Sequence, residues 1–171
     1  KGVRYVEAPE ASWRRIQFNM SIPPFNNALL RRAMAHAIDK KEILNAAFYG
    51  FGEPGDQRYP AGHRWYVEGV PPPSFDLNKA RELLKAAGYT GQPISIVVEQ
   101  SQMRETEAAV LQAQLKKIGL NIQLQLMDRA AAVSQVEKGK LAFRFGGGDV
   151  TPDPAPAYAG YFLCPQTPEG I

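Results

Sequence analysis

The sequence predicts an α/β fold in which helices pack a sheet, and three observations carry that prediction. Apolar residues recur at helical spacing in several well-capped segments. Two short runs, "PISIVVE" and "NIQLQLM", read as strands. From residue 93 to 145 the segments alternate strand, helix, strand, helix, strand.

The opening "VRYVEAPEASWRRIQFN" holds two short β-rich runs, Val3–Val6 and Arg15–Asn19. "PPF" then stops the strand, and Asn26 or Asn27 can cap a helix through "ALLRRAMAHAI". Its buried stripe is Leu29, Leu30, Ala33, Met34, Ala37 and Ile38. Asp39 and Glu42 are spaced as a capping box, so a second helix starts there and stops at Gly50. Residues 50–75 hold five Pro and five Gly among aromatics and charges, which reads as one long ordered loop.

Asp76 caps the next helix, Leu77, Ala80, Leu83, Leu84 and Ala87 form its stripe, and Gly88 ends it. "PISIVVE" is mostly apolar, as in a strand covered on both faces. A helix from about Met103 to Ile118 follows, with Ala108, Leu111, Leu115 and Ile118 on one face and Gly119 as terminator. "NIQLQLM" alternates, with Ile122, Leu124 and Leu126 on one side and Gln123 and Gln125 on the other. A short helix over Ala130–Lys138 ends at Gly139, and "LAFRF" is the last strand.

At 171 residues the chain suits one domain with a real core. Twenty Lys and Arg against 17 Asp and Glu leave a scattered formal charge of +3, too little for a nucleic-acid face. No apolar run has the length of a membrane span. Cys164 is the only cysteine, which excludes an internal disulfide and a cysteine-cluster metal site. No leader segment is visible. A chain opening on Lys1 reads as a processed or excised piece, so its location is not read from that end.

The stretch "RFGGGDVTPDPAPAY", from Arg144 to Tyr158, draws attention because its glycines follow a predicted strand. In α/β folds, ligands sit at the carboxyl ends of strands. A phosphate cradle would place Lys, Ser or Arg beside Gly146, Gly147 and Gly148, but Asp149 stands there and repels phosphate. Asp149 and Asp153 are too few oxygen ligands for a calcium loop. From Gly146 to the end the only charges are Asp149, Asp153 and Glu169, an acidic mouth that suits a cationic group such as an amine. Asp149 is either that acceptor or a turn residue, whereas Asp153 reads as an N-cap with Pro154 at N1. Arg144 is either a bidentate partner for a ligand carboxylate or a solvated strand residue.

His36 has no second ligand at i+4, so it makes no metal site, and His63 reads as loop structure or a cleft-side contact. The aromatics around it, Trp65 included, either stack on a ligand or pack on their own domain. No Ser-His-Asp order, HExxH, CxxC or nucleophile elbow appears, so neither catalysis nor a cofactor is expected.

Taken in order, "FN…PPFNNALLRRAMAHAIDKKEI", "FDLNKARELLKAAGY", "QAQLKKIGLNIQLQLMD" and "GGGDVTPDP" resemble the extracellular solute-binding proteins of family 5. These are the oligopeptide-, dipeptide- and nickel-binding components of ABC importers. Arg31, Ala33, Ala37, Ile38 and Asp39 fill the family's first motif. Asp76, Lys79, Ala80, Leu83, Leu84, Ala87, Gly88 and Tyr89 fill its second.

The resemblance implies that residues 1–171 form a single domain, the C-terminal-type lobe of a two-lobe protein. In strict terms that is an α+β, mixed-sheet lobe of a type II periplasmic-binding-protein-like fold. It also implies a small-molecule ligand, a peptide foremost, closed between this lobe and a missing second one and delivered to an ABC permease. The location implied is periplasmic, or extracellular and membrane-anchored. For a peptide, Asp149 would receive the amine, Gly146–Gly148 would meet the backbone, and Arg144 would help with anionic groups.

The family's usual ending has a Trp where Gly147 stands. Alignment from the glycines puts Asp149 at the ligand acid, and alignment back from Asp153-Pro154 puts Val150 there. Other ligand classes within the family are nickel chelates, sugars and opine-like conjugates. A ligand-sensing lobe of a transcription regulator is the alternative outside it.

Overall fold

The computed structural model describes Arg4, residues 12–138, residues 143–149, and Pro152, Asp153 and Ala155. Among these, four strands and five helices follow in the order β1 (Ser12–Phe18), α1 (Ala28–Ala37), α2 (Lys40–Phe48), α3 (Leu77–Ala86), β2 (Ile94–Glu99), α4 (Gln102–Lys116), β3 (Ile122–Met127), α5 (Arg129–Glu137) and β4 (Phe143–Asp149). The expected strand at Val3–Val6 lies, Arg4 apart, outside the described residues. So do Gly139 and the stretch from Pro156 onward, Cys164 included. No described helix is long and apolar enough to cross a membrane.

The sheet order is β1-β4-β2-β3, and the sheet is mixed as expected. β2 runs parallel to both β3 and β4, and β1 closes one edge antiparallel to β4. Ile94, Ile96, Val97 and Val98 of β2 are buried, which explains the near-continuous apolar run of that inner strand. β3 is the opposite edge; Ile122 is buried at its start, but Leu126 near its end is half exposed. The alternation there overstated burial because helices cover only part of an edge strand.

Capping follows the sequence closely. Asn27 accepts the Leu29 N–H, Asp76 accepts those of Asn78 and Lys79, and Ser101 accepts that of Arg104. Asp39 likewise accepts the N–H groups of Lys41 and Glu42, but the expected capping box is only half built. The Asp39 N–H donates instead to Gln114 Oε1 at 3.1 Å, while Gln114 Nε2 donates to Asp39 O at 3.1 Å and Glu42 Oε2 at 2.7 Å. A fully buried Gln from α4 thus takes the reciprocal role and ties α2 to α4. α2 also ends one residue early, with Tyr49 rather than Gly50 first in the left-handed region, at φ 56°.

The core lies between one sheet face and α1, α3 and α4. Leu30, Met34, Leu84, Leu111, Leu115 and Phe143 are all in it. Phe143 stacks on Phe18 at 5.2 Å and meets Phe25 at 5.4 Å, an aromatic cluster that fixes where the β1–β4 ladder begins. Residues 50–75 carry no helix or strand, as expected of a long loop.

Candidate functional site

The glycine run is not a loop after a strand; it is the strand. β4 continues through Gly146, Gly147 and Gly148 to Asp149, paired in register with Arg15, Arg14, Trp13 and Ser12 of β1. The expectation that the strand ends before the glycines is corrected on this point, and β1 correspondingly begins at Ser12 rather than Arg15. A ladder partner supplies the hydrogen bonds that glycine's weak strand preference would otherwise forfeit.

Gly147 has a further reason to be glycine. A Cβ there would stand 2.9 Å from the Trp13 carbonyl oxygen and 3.3 Å from Arg14 Cδ. The β1 backbone and the Arg14 side chain occupy that space.

The three parallel strands β2, β3 and β4 point their carboxyl ends, Glu99, Met127 and Asp149, to the same side of the sheet. There α4 and α5 begin, capped by Ser101 and by Asp128, whose Oδ1 accepts the Ala131 N–H at 2.9 Å. Gly146, Gly147, Gly148 and Asp149 therefore lie where ligand sites form in such sheets. The side chains of Arg144 and Asp149 lie outside the described parts of the structure; only their backbone is placed.

Arginines gather around the glycine strand. Arg15 and Arg58 both lie over the Trp13 ring, at 4.3 and 4.8 Å from its centroid, in cation–π contact. Arg64 Nη2 and Trp65 Nε1 both donate to the Pro152 carbonyl, at 2.6 and 3.1 Å. The long loop is thereby tied to the segment after β4. Trp65 serves its own domain here, and His63 is loop structure: it stacks on buried Tyr59 at 4.5 Å, and its Nδ1 accepts the Trp65 N–H at 3.2 Å. His36 faces the Ser74 carbonyl through Nδ1 at 2.7 Å, so that nitrogen donates. Asp153 accepts the Ala155 N–H at 2.9 Å, which fits its capping role.

Glu107 on α4 is a buried carboxylate at this end of the sheet. Its Oε1 is 4.0 Å from Arg14 Nε, and its Oε2 has no hydrogen-bond partner among the described residues. Burial raises its pKa above the ordinary 4.5, against the opposing pull of Arg14 and then Arg104. The folded state therefore holds a proton that the unfolded state releases. This contribution to stability is full below 4.5 and is lost as pH rises from there through the folded value. Glu107→Gln removes that loss, so its stability relative to wild type should rise across the same window and then level. Urea midpoints on both sides of pH 4.5 and near neutrality check this; a constant difference refutes it.

A shallow groove of about 420 Å³ lies at the amino ends of β2 and β3, lined by Arg81, Lys85, Tyr89 and Gly119 among others. Its polar groups serve the fold: Arg81 donates to Lys117 O, and Tyr89 donates to Gln92 O and accepts the Asn121 N–H. Among the described residues, no three His, Cys, Asp or Glu converge on a metal position.

Sequence reasoning missed Trp13, Arg14, Arg58 and Glu107. Nothing local marks them, because each gains its place from a partner distant in the chain. Arg14 and Gly147, for example, pair across β1 and β4.

Comparison with known proteins gives a consistent picture. The family model described as bacterial extracellular solute-binding proteins, family 5 Middle, matches residues 1–169. A glutathione-binding protein GsiB of Pectobacterium atrosepticum is 33% identical over 135 residues, covering 77% of this chain and 26% of that protein. The ABC transporter substrate-binding protein CtaP of Listeria monocytogenes superposes with a TM-score of 0.81 at 26% identity, over 91% of this chain and 33% of that one. DppA of Helicobacter pylori, solved with the peptide STSA, gives 0.74 at 31% identity over 84% and 28%. The chain spans about a quarter of the length of the curated relative it matches.

Proposed function

Since the chain belongs to the bacterial extracellular solute-binding proteins of family 5, we propose that it is the C-terminal-type lobe of a two-lobe peptide-binding protein. Closure of the second lobe over the carboxyl end of this sheet encloses the ligand, and the closed form is what an ABC permease receives. The protein works in the periplasm or, membrane-anchored, outside the cell, and performs no catalysis. The names of the relatives, one binding glutathione and one solved with a peptide, support a peptide ligand.

The observation that carries the reading is the glycine strand. Gly147 and Gly148 expose backbone without side chains near the carboxyl end of β4, alongside those of two parallel strands, and β4 ends on Asp149. An extended peptide can approach such a backbone closely, with Asp149 receiving its α-amino group and Arg144 its anionic groups.

An amide NMR titration of the chain with a short peptide, free and N-acetylated, tests this. Shifts at Gly146–Asp149 should appear with the free amine and be absent with the acetylated form. Equal responses to both would remove Asp149 from the role.

A further inference from the structure

We infer that Arg14 recognises the C-terminal carboxylate of the ligand at this site, holding its guanidinium across Gly147, while other anionic groups fall to Arg144. The inference rests on the reading that the ligand lies against β4, and it names a residue on the neighbouring strand.

Arg14 stands directly opposite Gly147 in the ladder. Its side chain crosses that glycine: a Cβ at 147 would meet Arg14 Cδ at 3.3 Å and Nη1 at 3.4 Å. The guanidinium thus occupies the room that a side chain at 147 would fill, beside the backbone against which the ligand is proposed to lie.

Its surroundings orient it without saturating it. Phe48 of α2 has its ring centroid 5.9 Å from Arg14 Cζ, and Met103 Sδ of α4 is 3.9 Å from Nη2. Among the described residues the acid beside it is Glu107, 4.0 Å away, well beyond the roughly 2.7–2.9 Å of a charge-assisted hydrogen bond. The Arg14 side chain is 39% exposed and the Glu107 side chain 4%, so the acid sits behind and the cation opens outward. Burial pushes the Glu107 pKa up, against the pull of Arg14 and then Arg104.

A planar, partly exposed guanidinium beside a ring and a thioether can take a carboxylate bidentately.

The test follows the Arg14 Nε–H resonance of the chain, assigned by its loss in Arg14→Gln, during titration with trialanine, its C-terminal amide and its N-acetyl form. The resonance should move with both carboxylate-bearing forms and stay still with the amide. The glycine amides of β4 should report about a tenfold or greater preference for acid over amide in the wild type. Arg14→Gln should abolish that preference, and Arg14→Lys, which keeps the charge but not the fork, should restore part of it.

Silence at Arg14 toward both acids into the hundred-millimolar range overturns the proposal, as does an undiminished preference in Arg14→Gln. A response at Arg14 that is the same for the free and acetylated acids, with no amine effect at Asp149, upholds the anion site while refuting the amine site. The two readings therefore fail separately.

Discussion

Asp149→Ala in the intact two-lobed protein is expected to weaken binding of a free peptide by about 2–5 kcal/mol, the cost of leaving one partner of an enclosed charge pair without the other. That is roughly thirtyfold to several thousandfold in Kd. At the end of β4 three residues without side chains precede the acid, and its backbone is pinned opposite Ser12. On the proposed two-lobe reading, closure would remove water, so the amine–carboxylate attraction would be screened far less than at an open surface.

Calorimetry with the free and N-acetylated forms of one peptide makes the prediction specific. The substitution should penalise the free form and leave the acetylated form nearly unchanged. A loss shared equally by both would show that Asp149 supports the strand rather than the amine.

Phe143→Ala should destabilise the fold by about 3–5 kcal/mol, a large fraction of the roughly 5–15 kcal/mol that holds a domain together. Phe143 is 1% exposed, belongs to the main core and is bracketed by the rings of Phe18, Phe25 and Phe145. It is also the first ladder residue of β4, paired with Phe18, so the cavity opens where the glycine segment takes its register. Urea unfolding should show a lower midpoint at an unchanged slope. Phe143→Leu, which keeps apolar bulk in the cluster, should lose less. A midpoint that does not move for Phe143→Ala would mean that the aromatic cluster is not the anchor of the β1–β4 pair.

The residues that fill the family's first two motifs serve the fold. Arg31 Nη1 donates to the Phe25 carbonyl at 2.5 Å, and Asn27 Nδ2 donates to Ala87 O at 3.0 Å. Ala33, Ala37 and Ala80 are fully buried, and Asp39 and Asp76 are helix caps. Those motifs are readable because caps and apolar stripes are local patterns in which each residue acts on neighbours three or four positions away. Fold class and family could be read from the chain for that reason.

The helices, the caps at Asn27, Asp39 and Asp76, the buried inner strand, the long loop and the position of the glycine run near the carboxyl end of a strand are legible in the local pattern of the chain. That the glycines are ladder residues emerges when the sheet assembles, since their partners on β1 lie far upstream and hydrogen-bonding register has no local signature. Tertiary packing alone decided that Gln114 rather than Glu42 takes the Asp39 N–H. It also laid Arg14 across Gly147 with Glu107 buried behind it. Short-range patterns fix elements, whereas a site assembled across a sheet depends on which elements meet.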